Sequence, residues 1–166
     1  EGAVYIMFMN IDGTVKSTKP INDTTTGEDL LDAGDYFGRS VANIGDLDGD
    51  GVNDLAVGAP RDNEYGTRTG AVHIMFMDID GTVKSTREIN SESDGENGPV
   101  ITAGDDFGYS VANIGDLDGD GVNDLAVGAL YDDAGGSNRG AVHILFMDID
   151  GTVKSTREIN SESDGE

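Results

Sequence analysis

The sequence predicts an all-β fold made of β-propeller blades, each of four antiparallel strands. Three observations predict it. The first is an internal repeat. Residues 38–59 and 108–129 share one text apart from Arg39 against Tyr109, and residues 70–96 and 140–166 share another apart from Met75 against Leu145, so the period is 70 residues. The second is patterning: short alternating or apolar runs end at Asp/Gly turns, and no segment carries a 3.6-residue apolar stripe. The third is composition, with 25 Gly and 24 Asp against 9 Glu in 166 residues, which favours turns over helices. A fixed period marks an array of units that cannot bury their faces alone.

The elements follow in chain order. Gly2–Thr18 is a third copy of Gly70–Thr86, offset by 68, and supplies two strands. In the full unit, Ser40-Val41-Ala42-Asn43-Ile44 alternates and ends at Gly45, a first strand. Asp46–Asp54 is a loop, and Leu55-Ala56-Val57-Gly58-Ala59 is a short apolar second strand. Gly70 to Met77 is a nearly continuous apolar third strand. Asp78-Ile79-Asp80-Gly81 is a hairpin turn, Asp-Gly being a strong turn signal. Val83–Ile89 is a fourth strand, more polar and hence an edge. The grading from small and apolar to polar places the Gly- and Ala-rich first strands at the crowded axis of a propeller.

This makes ten strands, about two and a half blades, where a closed ring needs about four to eight. The organisation read from the sequence is a half blade (outer strands three and four) and linker over 1–34, a blade over 35–104 and a second blade over 105–166. Two complete units cannot close a ring, so the expected partners are further repeats of a longer chain or other copies of this one. The stop at Ser-Asp-Gly-Glu, where the earlier repeat continues into Asn97-Gly98-Pro99, favours an excerpt. Up-and-down connectivity puts the 46–54 and 78–81 links at one end of the strands. The 60–69 and 130–139 links and the inter-unit links 21–36 and 90–106 lie at the other.

Charge excludes several functions. Thirty-three acidic against 10 basic residues give a net charge of −23, which argues against sequence-independent nucleic-acid binding. No run approaches the ~18 apolar residues of a membrane span, so no membrane insertion is expected. The opening Glu1-Gly2-Ala3-Val4 has no signal-peptide character. Without cysteine there is no disulfide framework, Cys-ligated zinc or thiol chemistry.

The chemistry sits in Asp46-Leu47-Asp48-Gly49-Asp50-Gly51-Val52-Asn53-Asp54, repeated as Asp116–Asp124. Carboxylates fall at loop positions 1, 3, 5 and 9, turning alternate side chains inward, and Gly51 or Gly121 at position 6 permits the left-handed bend. Val52 and Val122 can offer only a backbone carbonyl. The expected metal ligands are thus Asp46, Asp48, Asp50, Val52 and Asp54, and Asp116, Asp118, Asp120, Val122 and Asp124. This density of hard oxygens suits Ca²⁺, about two per chain, better than Mg²⁺. No Lys or Arg lies inside either loop to offset the repulsion, so a cation couples binding to folding. An EF-hand fits only partly: position 12 is Val57 or Val127 and a strand follows, which leaves Asp54 and Asp124 as the expected bidentate ligands. A dockerin fails for the same reason.

Phe37-Gly38, then Ser40 through Gly45, the acidic loop, and Leu55-Ala56-Val57-Gly58-Ala59-Pro60, resembles an FG-GAP repeat. The second copy, Phe107-Gly108 to Gly128-Ala129-Leu130, lacks the final Pro. The resemblance covers about 24 residues twice and is similar to the repeats of the integrin α-subunit propeller. It implies a seven-bladed propeller fold, Ca²⁺ in the loop between strands one and two on the lower face, and partner binding by the upper loops.

The remaining candidates have plainer explanations. His73 and His143, alone and 70 residues apart, read as packed or edge histidines. Asp78/Asp80 and Asp148/Asp150, with Asn10/Asp12, read as hairpin turns, and Met7, Phe8 and Met9 as inter-blade core. No Gly-x-Ser-x-Gly elbow or phosphate loop occurs, so no enzyme is expected. The divergent loops Arg61–Arg68 and Tyr131–Arg139 are the candidate surface for a protein ligand. Function is expected to be a calcium-binding repeat segment of a secreted or cell-surface adhesion protein, extracellular in location. The alternatives are a self-assembling structural repeat, a fibre or oligomer, stabilised by Ca²⁺, and an accessory domain of an extracellular enzyme.

Overall fold

A computed structural model describes residues 2–26, 31–64 and 66–162; part of the 21–36 link, Tyr65 and the 163–166 terminus fall outside the described residues. It is all-β apart from a four-residue helix, Asp23–Thr26, and a short 3₁₀ turn, Gly95–Asn97. The ten strands are β1 (Val4–Met9), β2 (Val15–Ile21), β3 (Ser40–Gly45), β4 (Asp54–Ala59), β5 (Ala71–Met77), β6 (Val83–Ile89), β7 (Phe107–Gly115), β8 (Asp124–Ala129), β9 (Ala141–Met147) and β10 (Val153–Ile159). They form one hairpin, β1–β2, and two four-stranded antiparallel sheets, β3-β4-β5-β6 and β7-β8-β9-β10. The sheets are blades, and they do not close into a ring. The polar fourth strands β6 and β10 are edges, as their polarity predicts.

Side-chain period 2 sends alternate residues of one strand to different neighbours. On β5, Val72, Ile74 and Phe76 join Leu125, Val127 and Ala129 of β8 in the core between the two blades. Met75 and Met77 of the same strand join Val4 and Ile21 of the hairpin in a second core with Phe37. A blade therefore has two apolar faces, and its central strands look continuously hydrophobic.

Phe107 is fully buried in the inter-blade core. Its N–H donates to Thr69 O at 3.0 Å, and Gly70 and Phe107 form a parallel bridge. Gly108 lies so close to Gly58 that a Cβ on Gly58 would collide with the Gly108 carbonyl oxygen. Ser40 Oγ donates to that oxygen at 2.9 Å, and Asn113 Nδ2 donates to Asn43 O at 3.0 Å, so neighbouring first strands lie side by side. The Phe-Gly pair is the joint between blades.

One expectation needs correction. Phe8 is half-buried, but Met7 and Met9 are 56% and 54% exposed, whereas their repeats Met75 and Met77 are buried. The face of the hairpin that carries Tyr5, Met7 and Met9 has no described sheet against it, so its methionines are not core here.

Candidate functional site

Each blade carries its nine-residue acidic loop between the first and second strands, at the end where β5 or β9 finishes. Gly51 and Gly121 adopt φ of 91° and 94°, the left-handed bend that the loop needs. Asp46 holds the turn: its Oδ1 accepts from Asp50 N at 2.9 Å and its Oδ2 from Gly51 N at 2.9 Å. Asp50 Oδ1 accepts from Val52 N at 2.8 Å. Asp116 and Asp120 repeat these bonds. The side chains of Val52 and Val122 pack against the two cores, leaving the backbone as the polar part of position 7.

Asp54 and Asp124 behave differently from the other carboxylates. Both are fully buried. Asp54 Oδ2 accepts from Leu47 N at 2.8 Å and its Oδ1 from Met77 N at 2.9 Å, clamping the loop to β5. Asp124 does the same with Leu117 N at 2.7 Å and Met147 N at 3.0 Å. Each oxygen keeps a second lone pair for a cation. Ligand-capable oxygens gather within 4.8 Å from Asp46, Asp48 and Asp50 in the first loop, and from Asp116, Asp118 and Asp124 in the second. Asp54 and Asp120 stand outside those two groups.

The structure also supplies a compensating charge that lies outside the loops in sequence. Lys84 of β6 reaches back to Asp48 Oδ2 at 2.8 Å and to Asp50, and Lys154 of β10 reaches Asp118 Oδ2 at 2.9 Å and Asp120. The expectation that nothing offsets the loop repulsion is thereby corrected: the offset comes 34–36 residues later in the chain. Hydrogen bonding to Asp48 and Asp50 holds the Lys84 ammonium above its usual range, and that to Asp120 does so for Lys154. The same contacts hold Asp50 and Asp120 below the usual carboxylate range. The ammonium bridging two carboxylates marks where positive charge belongs. Three or four carboxylates, a backbone carbonyl and water make the oxygen set that Ca²⁺ accepts.

The loop of the second blade is tied to the first. Asn123 Nδ2, at loop position 8, donates to Ile44 O at 3.0 Å. Ordering of this loop therefore bears on the joint between blades.

Of the other candidates, Asp78 and Asp80 are hairpin-turn acceptors. Asp78 Oδ1 takes Ile79 N at 2.7 Å, and Asp80 Oδ1 takes Thr82 N at 2.9 Å. His73 and His143 are buried and packed edge-on against Phe37 and Phe107, with ring centroids 5.6 and 5.4 Å apart. At the opposite end of the strands, the 60–69 loop meets the next inter-unit link. Arg68 binds Asp106 through two hydrogen bonds of 2.9 and 2.6 Å, and Gly104 N donates to Thr67 O at 3.0 Å. Arg61 stacks over Tyr36 at 4.3 Å and Arg39 over Tyr109 at 4.0 Å. Sequence reasoning missed Lys84, Lys154 and this Arg/Tyr ladder; the recurrence of Lys at one place in every fourth strand was the available signal for the lysines. Among the described residues no helix is long and apolar enough to cross a membrane.

Comparison with known proteins agrees with this architecture. The FG-GAP repeat family matches residues 37–75 and 107–145. The chain is 32% identical over 158 residues to integrin alpha-3 of Cricetulus griseus, covering 95% of this chain and 13% of that protein. It is 31% identical over 160 residues to integrin alpha-4 of Xenopus laevis, covering 95% and 14%. It is 37% identical over 131 residues to integrin alpha-6 of Gallus gallus, covering 79% and 10%. The chain thus spans between 10% and 14% of the length of these relatives.

Proposed function

We propose that this FG-GAP repeat protein is a calcium-stabilised protein-interaction segment of an adhesion protein, acting by binding and not by catalysis, at the cell surface or outside the cell. The observation that carries the calcium role is the gathering of three loop carboxylates within 4.8 Å in each blade, with one lysine ammonium bridging two carboxylates of each loop. Calcium replaces that ammonium. Asp46, Asp48, Asp50, Asp54 and the Val52 carbonyl hold one ion, and Asp116, Asp118, Asp120, Asp124 and the Val122 carbonyl hold the other. By linkage, an ion at 100 times its dissociation constant stabilises the folded chain by about 2.7 kcal/mol per site. Similarity to integrin alpha subunits supports the adhesion role. The partner surface is the opposite end of the blades, where the Arg/Tyr ladder and the variable 60–69 and 130–139 loops stand.

Calorimetry at millimolar Ca²⁺ should give about two ions per chain. Replacing Asp46 and Asp116 together by Ala should remove most of the calcium-dependent rise in melting temperature. A flat titration, or the same melting curve in chelator as in calcium, would overturn the metal assignment.

A second arrangement has its own support. Tyr5, Met7 and Met9 at one end of the array, and Val142 and Ile159 at the other, are 39–58% exposed on open blade faces. Further repeats or other copies of the chain fit those faces. Sedimentation separates a single closed ring from an open-ended series of species.

A further inference from the structure

Each full blade buries a histidine that makes no hydrogen bond. His73 is 0% and His143 1% exposed, and neither ring nitrogen of either has a hydrogen-bond partner. A neutral imidazole carries one donor and one acceptor, and dry, unpaired polar atoms are costly. Two carboxylates face each ring. Glu88 is the cross-strand partner of His73 on β6, and Asp62 comes from the loop after β4. One ligand-capable atom from each of Asp62, His73 and Glu88 lies within 4.8 Å of the other two, and Asp132, His143 and Glu158 repeat the arrangement. Among the described residues no Lys or Arg pairs with either trio. Burial lifts the Asp62 carboxyl and pushes Glu88 up to about 7, and the nearby Asp35 and Glu64 charges push both further the same way. A neutral imidazole keeps a free lone pair on one ring nitrogen, the atom a metal takes.

The carboxylates are oriented as metal ligands are. Asp62 Oδ1 accepts from Glu64 N at 3.0 Å and Asp132 Oδ1 from Ala134 N at 2.8 Å, which fixes both carboxylates at the start of their loops. It is Asp132 Oδ2 that stands 3.4 Å from His143 Nε2. Atoms bound to one zinc at about 2.0–2.2 Å sit roughly 3.4 Å apart in a tetrahedron. Asn90 Nδ2 donates to Glu88 Oε1 at 2.6 Å, and Asn160 does likewise to Glu158, which fixes the second carboxylate through an outer partner. The edge-on rings of Phe37 and Phe107 supply an apolar wall, and half-buried Glu88 and Glu158 give a path for entry. The N-terminal hairpin provides an internal contrast. There Tyr5 stands where His73 does and Pro20 where Glu88 does, paired in the same register, so both ligands are missing together.

We propose that Asp62, His73 and Glu88, and equally Asp132, His143 and Glu158, form buried nitrogen–oxygen sites for a divalent ion of the zinc class, one per blade. An imidazole and two carboxylates suit Zn²⁺ over Ca²⁺, which wants six to eight oxygens. The ion neutralises the carboxylates and pins the 60–69 or 130–139 loop to the two outer strands. These sites stand at the other end of the strands from the acidic loops and do not depend on them.

The test titrates Zn²⁺ into the chain in excess Ca²⁺, so that zinc cannot collect on the acidic loops unopposed. About two zinc ions should bind per chain, with displacement of the ring-nitrogen resonances of both histidines. His73→Gln with His143→Gln should weaken binding by more than the roughly 10–100-fold typical of losing an outer-shell partner. Its response to Ca²⁺ alone should stay that of the parent, which shows that the variant is folded. Absence of stoichiometric zinc binding, zinc binding unchanged in the double variant, or histidine resonances that do not move would each overturn the proposal. Because the ring resonances are read directly, failure of the calcium assignment and failure of this one give different results.

Discussion

The central strands of the two blades are written in nearly the same letters and are in different physical states. Every residue of β5 is buried, whereas β9 alternates buried with exposed or half-buried. Val72 and Ile89 are 0% exposed, and their repeats Val142 and Ile159 are 40% and 39% exposed. Nothing in the blade text accounts for this. The first blade is sandwiched between the hairpin and the second blade, while one face of the second blade has no described sheet against it. Burial in such an array belongs to the neighbour as much as to the strand, as expected when stability is a sum of unit terms and nearest-neighbour interface terms. The carboxylate contacts of the acidic loops behave in the opposite way: turn bonds, lysine bridge and buried clamp recur in both blades, because their partners lie within one blade, while Asn123 of the second loop reaches across to Ile44 O.

The largest expected effect that separates the blades is at a glycine. A Cβ on Gly58 would run into the Gly108 backbone carbonyl of the next blade, whereas one on Gly128 meets only the Ser110 hydroxyl, which can rotate. Gly58→Ala should cost at or above the upper end of the roughly 1–3 kcal/mol of overpacking. Gly128→Ala should cost less than about 1 kcal/mol. Denaturant melts of the two variants check this, and equal losses would mean that the blades do not dock as described.

Next in size is a cavity. Ile89→Ala removes a fully buried side chain from the inter-blade core and should cost about 2–4 kcal/mol. Ile159→Ala, at the same place in the second blade, should cost under about 1 kcal/mol, since its side chain already meets water. The contrast narrows if anything covers that face. In an oligomer or a longer array the Ile159 variant should approach the Ile89 variant, so the pair also reports on assembly.

Much of this was legible in the sequence, and what was not has one physical origin. The strands and turns of each blade follow from period-2 patterning and Asp-Gly turns, which act over a few residues. The acidic loop is read in the same way, from odd spacing and a glycine at position 6. What the sequence hid depends on distant pairing. Lys84 meets Asp48 only because the edge strand folds back beside the loop. Asp62 meets His73 because a loop folds over β5, and a lone histidine in an apolar strand gives no sign of two carboxylates arriving from elsewhere. Met7 and Met9 are exposed for the same reason: their letters match Met75 and Met77, and their neighbours do not.

The smallest effect is the one that should be equal in both blades. Lys84 and Lys154 sit where calcium is proposed to bind, so the ion must displace them. Replacing either by Met removes a competing charge and should tighten calcium binding at that blade by about fivefold. The same change in calcium-free protein should cost little, because solvent screens exposed ion pairs. Calorimetry on Lys84→Met and Lys154→Met therefore separates blade-local from neighbour-dependent energetics. Matching gains at the two sites fit loops whose carboxylate contacts are all their own. A gain at one site only would mean that the Asn123 bond to Ile44 couples the second loop to the first blade strongly enough to change its affinity. Weaker binding in both would mean that the lysines shape the loops for the ion and do not compete with it.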